Sequence, residues 1–338
     1  MNIYVALISA AVLSFLIAFL LGFVLIPWLR KLKFGQTILD IGPAWHKSKQ
    51  GTPVMGGIMF IVSTILSTIC VLVTDHFLGG NLFGSEHILP DTLKVKLVAG
   101  IILAIGLGFV GFADDYIKVV KKRNLGLTAK QKFSLQVLVS LVFTSLIAGF
   151  GVIDMSVLIP FTGKYVNLGY MVLPLDIVVM LATVNSVNLT DGLDGLAATV
   201  TVLVATFFAL AAEKIGNSVV FTVSAAIIGA LLGFLVYNKY PAKVFMGDTG
   251  SLFLGGLLSA IAVYMRNPFI LLIVGFVYVA ESLSVIIQVT YFKKTGKRIF
   301  KMSPIHHHFE MCGLSEKKIV LLFSAVTLVL GIIGYFGV

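Results

Sequence analysis

Apolar residues run along this chain in ten stretches, at 3–29, 54–74, 95–113, 131–150, 171–187, 195–212, 218–237, 250–265, 268–292 and 318–337, with polar residues gathered in the loops between. A run of about 20 apolar residues crosses a bilayer as an α-helix that satisfies its own backbone. The pattern predicts an all-α integral membrane protein, one polytopic domain over 1–338 with ten transmembrane helices. The short alternating strands of an outer-membrane barrel are not seen. One loop, 151–170 (GVIDMSVLIPFTGKYVNLGY), alternates β-formers around Thr162-Gly163 and predicts a short outer hairpin. Only Met1 and Asn2 precede the first stretch, and Arg30, Lys31 and Lys33 follow it, so it reads as an anchor with its N-terminus outside rather than a cleavable signal.

Composition agrees: 58% of residues are hydrophobic and 12% charged, too apolar for a soluble domain of 338 residues. The net charge of +10 is unevenly spread, with 20 of the 25 Lys and Arg in or beside the loops 30–53, 114–132, 188–194, 238–249 and 293–317. The positive-inside rule puts those loops in the cytoplasm and both termini outside, which requires an even number of spans. Orientation and contact with membrane lipid headgroups account for the charge, so nucleic acid is not an expected partner. Cys70 and Cys312 have no metal or redox spacing and read as free thiols.

That orientation collects the unusual polar residues on the inner face. Asp114 and Asp115 close the third stretch, where a helix C-terminus disfavours paired carboxylates. They are either a solvated helix end beside Lys118 and Lys121 or a site for a hard cation or phosphate. Between stretches five and six, NSVNLTDGLDGL places Asn185, Asn188, Asp191 and Asp194 at intervals of three, near one face if helical, with Gly192 and Gly195 allowing close backbone approach. Asp191 or Asp194 could instead cap the next helix, but one cap needs one aspartate. Asp248, in FMGDTGS, is a cap for stretch eight or part of a phosphate-accepting helix start. His306, His307 and His308 are consecutive, so neighbours point apart and one shared metal is disfavoured; phosphate or sugar oxygens suit them better. Lys47, Lys49 and the glycines of GTPVMGG lead into stretch two, where the glycines serve packing and the lysines could meet an anion. Together these groups suit a divalent metal holding a diphosphate beside a lipid co-substrate.

The motifs Asp114-Asp115, NLTDGLDG at 188–195, FMGDTGS at 245–251 and HHHFE at 306–310 resemble, in order and over the whole chain, the polyprenyl-phosphate N-acetylhexosamine-1-phosphate transferases. HHHFE and GTPVMGG resemble the bacterial branch that transfers phospho-N-acetylmuramoyl-pentapeptide, although Val54 stands where many members have threonine. The resemblance implies attack of undecaprenyl phosphate on UDP-N-acetylmuramoyl-pentapeptide, forming lipid I and UMP, the first membrane step of peptidoglycan synthesis. It implies Mg2+ as cofactor, a homodimer in the bacterial plasma membrane, and a ninth helix bent around a lipid groove. By position it implies that Asp248 binds magnesium with Asp115 beside it, and that Asp114 deprotonates or orients the lipid phosphate. Asn188, Asp191, Gly192, Leu193 and Asp194 would line the nucleotide pocket, and Asn238 and Phe245 would hold the uracil. Lys49, Lys118, Lys122 and Lys130 would meet phosphate, and His306, His307 and His308 phosphate or sugar. A sister transferase using UDP-N-acetylglucosamine shares the aspartate motifs but not the histidine run.

Two acids fall within apolar stretches. Asp176, near an outer end, is expected at the headgroups, and Glu281 in a hydrogen bond inside the bundle. A transporter would place its ionisable groups near the midplane of paired repeats; here they lie at the inner surface and no repeat is evident.

Overall fold

The computed structural model describes residues 3–32, 49–80, 90–120 and 125–338, without the side chains of 3, 90, 91 and 93. In chain order the helices are α1 (Ile3–Lys31), α2 (Gly57–Phe77), α3 (Pro90–Val120), α4 (Ala129–Gly149), α5 (Val172–Thr190), α6 (Leu196–Lys214), α7 (Ser218–Asn238), α8 (Gly247–Tyr264), α9 (Leu271–Val274), α10 (Phe276–Thr295), α11 (Ile305–Met311) and α12 (Glu316–Tyr335). Among the described residues nine helices are long and apolar enough to cross a membrane, or ten if α9 and α10, bent by 83° at Gly275, form one broken span. The predicted helical membrane protein stands, and the continuous apolar run 268–292 is in fact two helices.

Local sequence sets several helix starts. Thr128 accepts a hydrogen bond from the Gln131 N–H while the Gln131 side chain accepts from the Thr128 N–H, a reciprocal cap that opens α4. Asn217 accepts from the Val220 N–H and opens α7. Strands β1 (Ser156–Ile159) and β2 (Lys164–Asn167) form the expected hairpin, antiparallel with Val157 opposite Val166.

Burial is arranged for lipid. α7 packs against α1, α2 and α6, and α8 against α2, α3 and α5. Phe60, Phe208, Phe234 and Phe253 are fully buried among them. By contrast α1 exposes Ile8, Val12, Leu20 and Phe23, and α12 exposes Leu321, Leu328 and Ile332. Such rows of exposed apolar side chains suit hydrocarbon, not water.

Both chain ends meet at the end of α6. Tyr4 donates to Glu213 at 2.7 Å, and Lys214 donates to the carbonyls of Tyr335 and Val338 at 3.2 and 2.6 Å. The hairpin lies at this end, where the Leu158 N–H donates to the Arg266 carbonyl and the Phe161 N–H to the Gly337 carbonyl. Asp154 there pairs with Lys96 and Arg266. Asp176 departs from expectation: it is 2% exposed and lines a cavity with Lys96, Asp154 and Arg266, so it does not reach the headgroups. Glu281 meets its expectation and hydrogen-bonds His306 within the bundle.

Two helix ends also differ from the sequence pattern. α3 continues through Asp114 and Asp115 to Val120, because Lys118, one turn on, pairs with Asp114 at 2.6 Å. α5 stops at Thr190, so Asp191 and Asp194 sit in a turn rather than along a helix face.

Candidate active site

The first N–H groups of α8 have no partners within their own helix. Asp115 of α3 supplies them. Its Oδ1 accepts from the Asp248 N–H at 3.2 Å, and its Oδ2 accepts from the Thr249 N–H and hydroxyl at 2.9 and 2.7 Å. Asp248 therefore does not cap its own helix; the cap crosses from a neighbour. The approach requires Gly111, where a Cβ would lie 2.0 Å from the Asp248 carbonyl oxygen.

This cap brings three carboxylates together. One oxygen each from Asp114, Asp115 and Asp248 lies within 4.8 Å of the others, and Asp114 and Asp115 are buried. Asp114 accepts from the Leu127 N–H at 2.8 Å and pairs with Lys118. Asp248 pairs with Lys118 at 3.0 Å and Lys132 at 2.8 Å, and its other oxygen accepts from the Asn188 amide at 2.8 Å. Asn188 also donates to Ser251, which fixes its orientation. Three carboxylates at this spacing repel strongly where water is scarce. The two lysines offset part of that repulsion, and the all-oxygen donor set fits a hard divalent cation.

Asp191 follows the last residue of α5, half-buried and within the field of this cluster. Burial, then the negative charges of Asp248, Asp115 and Asp194, push its carboxyl well above the ordinary carboxylate range. Asp194 is engaged elsewhere, accepting from Lys49 at 2.7 Å and from the Ala242 N–H at 2.8 Å. Lys49 also bonds Glu316 of α12 at 2.6 Å. Burial works against the Lys49 ammonium, but its two acidic partners outweigh that and leave its pKa raised. Lys49 thus ties three chain segments together.

Other candidates are distributed unequally. Asn238 is buried, accepting from the Gly195 N–H and donating to the Val244 carbonyl. Phe245 is half-buried, and its backbone pairs with Pro53 and Gly56, while Gly57 lies against Gly250. Leu193 is buried in the apolar core, and Gly192 lies against His306. The histidines diverge, as their adjacency predicts: His306 turns to Glu281, His307 to Glu310 at 2.7 Å, and His308 accepts from the Lys301 N–H. Lys122 lies outside the described residues. Lys130 is exposed, whereas Lys132 reaches Asp248. The sequence carried a signal for Lys132: it continues the row Gln136, Ser140, Thr144, which is the buried polar face of α4. Glu316 was also missed and stands in no quoted motif, whereas Thr249 stands in FMGDTGS, where only Asp248 and Phe245 drew a role.

Comparison with known proteins now bears on this site. A glycosyl transferase family 4 model matches residues 97–266, which hold the acidic cluster, Lys118, Lys132 and Asn188. A phospho-N-acetylmuramoyl-pentapeptide-transferase of Clostridium botulinum (strain Eklund 17B / Type B) is 47% identical over 328 residues, 97% of this chain and 95% of that protein. The chain belongs to the phospho-N-acetylmuramoyl-pentapeptide-transferase family. A protein of the same name in Clostridioides difficile (strain 630) is 45% identical over 97% of this chain and 96% of its own length, and one in Acetivibrio thermocellus is 47% identical over 96% and 93%. These phospho-N-acetylmuramoyl-pentapeptide-transferases match the chain almost end to end, so the family likeness takes in the α10–α11 histidine segment as well as the aspartates.

Proposed function

We propose that the protein transfers phospho-N-acetylmuramoyl-pentapeptide from its UDP conjugate to undecaprenyl phosphate, giving lipid I and UMP. It acts as a homodimer in a bacterial plasma membrane, with the site facing the cytoplasm. The observation that carries this reading is the convergence of Asp114, Asp115 and Asp248 with Lys118 and Lys132 at one end of an apolar bundle. One reactant is soluble and the other cannot leave the bilayer, so such a site belongs at the membrane surface.

Phosphoryl transfer asks a protein chiefly to position groups and offset charge. An oxygen of the lipid phosphate attacks the sugar-linked phosphorus; that P–O bond forms as the P–O bond to UMP breaks, and UMP leaves with the electron pair. A phosphate monoester has a second pKa of about 6, so the nucleophile needs no strong base. Asp114 orients the lipid phosphate, while Lys118 and Lys132 supply positive charge to phosphate oxygens. Asp248, with Asp115 or Asp114 beside it, would hold Mg2+, which is commonly bound by one or two carboxylates plus substrate phosphates. When bound, magnesium would offset the charge of the diphosphate and of departing UMP.

The test is UMP release by purified protein given undecaprenyl phosphate, magnesium and either UDP-N-acetylmuramoyl-pentapeptide or UDP-N-acetylglucosamine. Turnover of the first, lost on chelation and in Asp248→Asn, is expected. Turnover of the second alone moves the protein to the sister activity, and no UMP from either overturns the reading.

A further inference from the structure

Glu281 has no part in the chemistry described so far, yet it is fully buried in α10. Its Oε1 lies 3.0 Å from His306 Nδ1, and its Oε2 lies 3.5 Å from the His306 backbone N–H. A carboxylate accepts, so Nδ1 carries the hydrogen. The other ring nitrogen, Nε2, is buried and has no hydrogen-bond partner among the described residues. It faces Gly192 so closely that a Cβ there would sit 2.2 Å away. A hydrogen on Nε2 would be a buried donor with no acceptor, so the geometry selects the ring with Nε2 bare.

This arrangement leaves His306 no open edge for a substrate. It forms a column instead: Glu281 grips the imidazole, and the imidazole backs the turn that starts with Asp191-Gly192. Gly192 has no side chain, so the ring packs directly against the backbone of this turn. We propose that Glu281 is a positioning residue for the transfer reaction, acting through His306 to hold the 191–194 turn, and that His306 supports this turn rather than touching substrate. The inference rests on the transferase reading for its activity test but not for its spectroscopic one.

The experiment pairs 15N-histidine spectra of the intact protein in detergent with UMP release by four variants. The His306 signal, assigned by its absence from the His306 variants, should show hydrogen on Nδ1 and a bare Nε2, a signature lost in Glu281→Leu while that of His307, held by Glu310, remains. Supporting groups behind a reactive site are worth about 10–100-fold, so Glu281→Leu should lose that much activity. Glu281→Gln, whose amide oxygen still accepts from Nδ1, should stay within about threefold and guards against a folding failure of the leucine variant. His306→Asn keeps a donor at the Nδ1 position and His306→Gln only a group at the Nε2 position. Asparagine should therefore retain at least about tenfold more activity than glutamine, a gap within the usual range for such support. An equal loss, the reverse ranking, or a hydrogen on Nε2 of His306 overturns the proposal. Inactive wild type with the expected spectrum would instead defeat the transferase reading and leave the column standing.

Discussion

The two ends of this bundle both gather charged side chains, and they are built on opposite plans. At the hairpin end Asp154 lies between two cations, Lys96 at 2.7 Å and Arg266 at 2.6 Å, with Asp176 lining the same cavity. At the other end Asp114, Asp115, Asp191 and Asp248 gather around Lys118 and Lys132. The first cluster is completed by the protein itself. The second holds a surplus of one sign, which a fold tolerates only where something else supplies the opposite charge. Charge alone does not mark a functional site; charge left uncompensated does.

The sharpest way to break this contrast is to neutralise one acid at each end. Asp248→Asn should lower UMP release by about 10²–10³-fold, the usual loss when a preorganised charge-stabilising group is removed. Asp154→Asn should leave turnover within about twofold and cost about 1–2 kcal/mol in stability, since its partners are partly exposed. Turnover assays and thermal unfolding in detergent read both. Loss of activity from the hairpin-end variant alone would remove the distinction.

Within the acidic end, the two lysines near the start of α4 separate geometry from mere proximity. Lys132→Met should lower activity by about 10–100-fold, because it removes a partner of Asp248. Lys130→Met should change it by about twofold at most, as expected for an exposed side chain. Equal losses would argue that a general positive field, not placement, is what the site needs.

The packing beneath the cluster gives a smaller effect. Gly111→Ala puts a Cβ 2.0 Å from the Asp248 carbonyl oxygen, so α8 must shift from Asp115. Overpacking of this kind costs about 1–3 kcal/mol, and turnover should fall with it. An unchanged thermal midpoint would mean that α3 and α8 are less closely coupled than their shared cap suggests.

Much of this was legible in the chain. Ten apolar runs gave the bundle because lipid allows so few backbone solutions. The four motifs named the acidic cluster because carboxylates are rare in such a composition. What stayed hidden depended on pairing across distant segments. Asp115 and Asp248 are 133 residues apart, and only the fold shows that one caps the other's helix. Lys49 looked open to an anion but finds Asp194 and Glu316. Asp176 looked superficial because span depth was judged by position, whereas the hairpin and the α8 end cover it. The break at Gly275 was invisible to hydropathy because apolar residues run through it on both sides.

The subtlest consequence of the surplus charge is a pH dependence of stability. Asp191 has a folded-state pKa raised by burial and by three carboxylates. Relative to the unfolded chain, the native state then binds this proton more tightly. Its favourable contribution is complete below the ordinary carboxylate pKa and disappears as pH rises through the raised value. Asp191→Asn removes that dependence. In chelator, the variant should therefore be more stable than wild type at pH 8, and the gap should narrow as pH falls toward 5. Magnesium should stabilise the wild type by ligand linkage, by about 2.7 kcal/mol at a hundredfold excess over Kd, and should itself narrow the gap by supplying the missing positive charge. A gap independent of both pH and magnesium would mean that Asp191 does not share the field of the cluster, and the contrast between the two ends would then rest on three carboxylates rather than four.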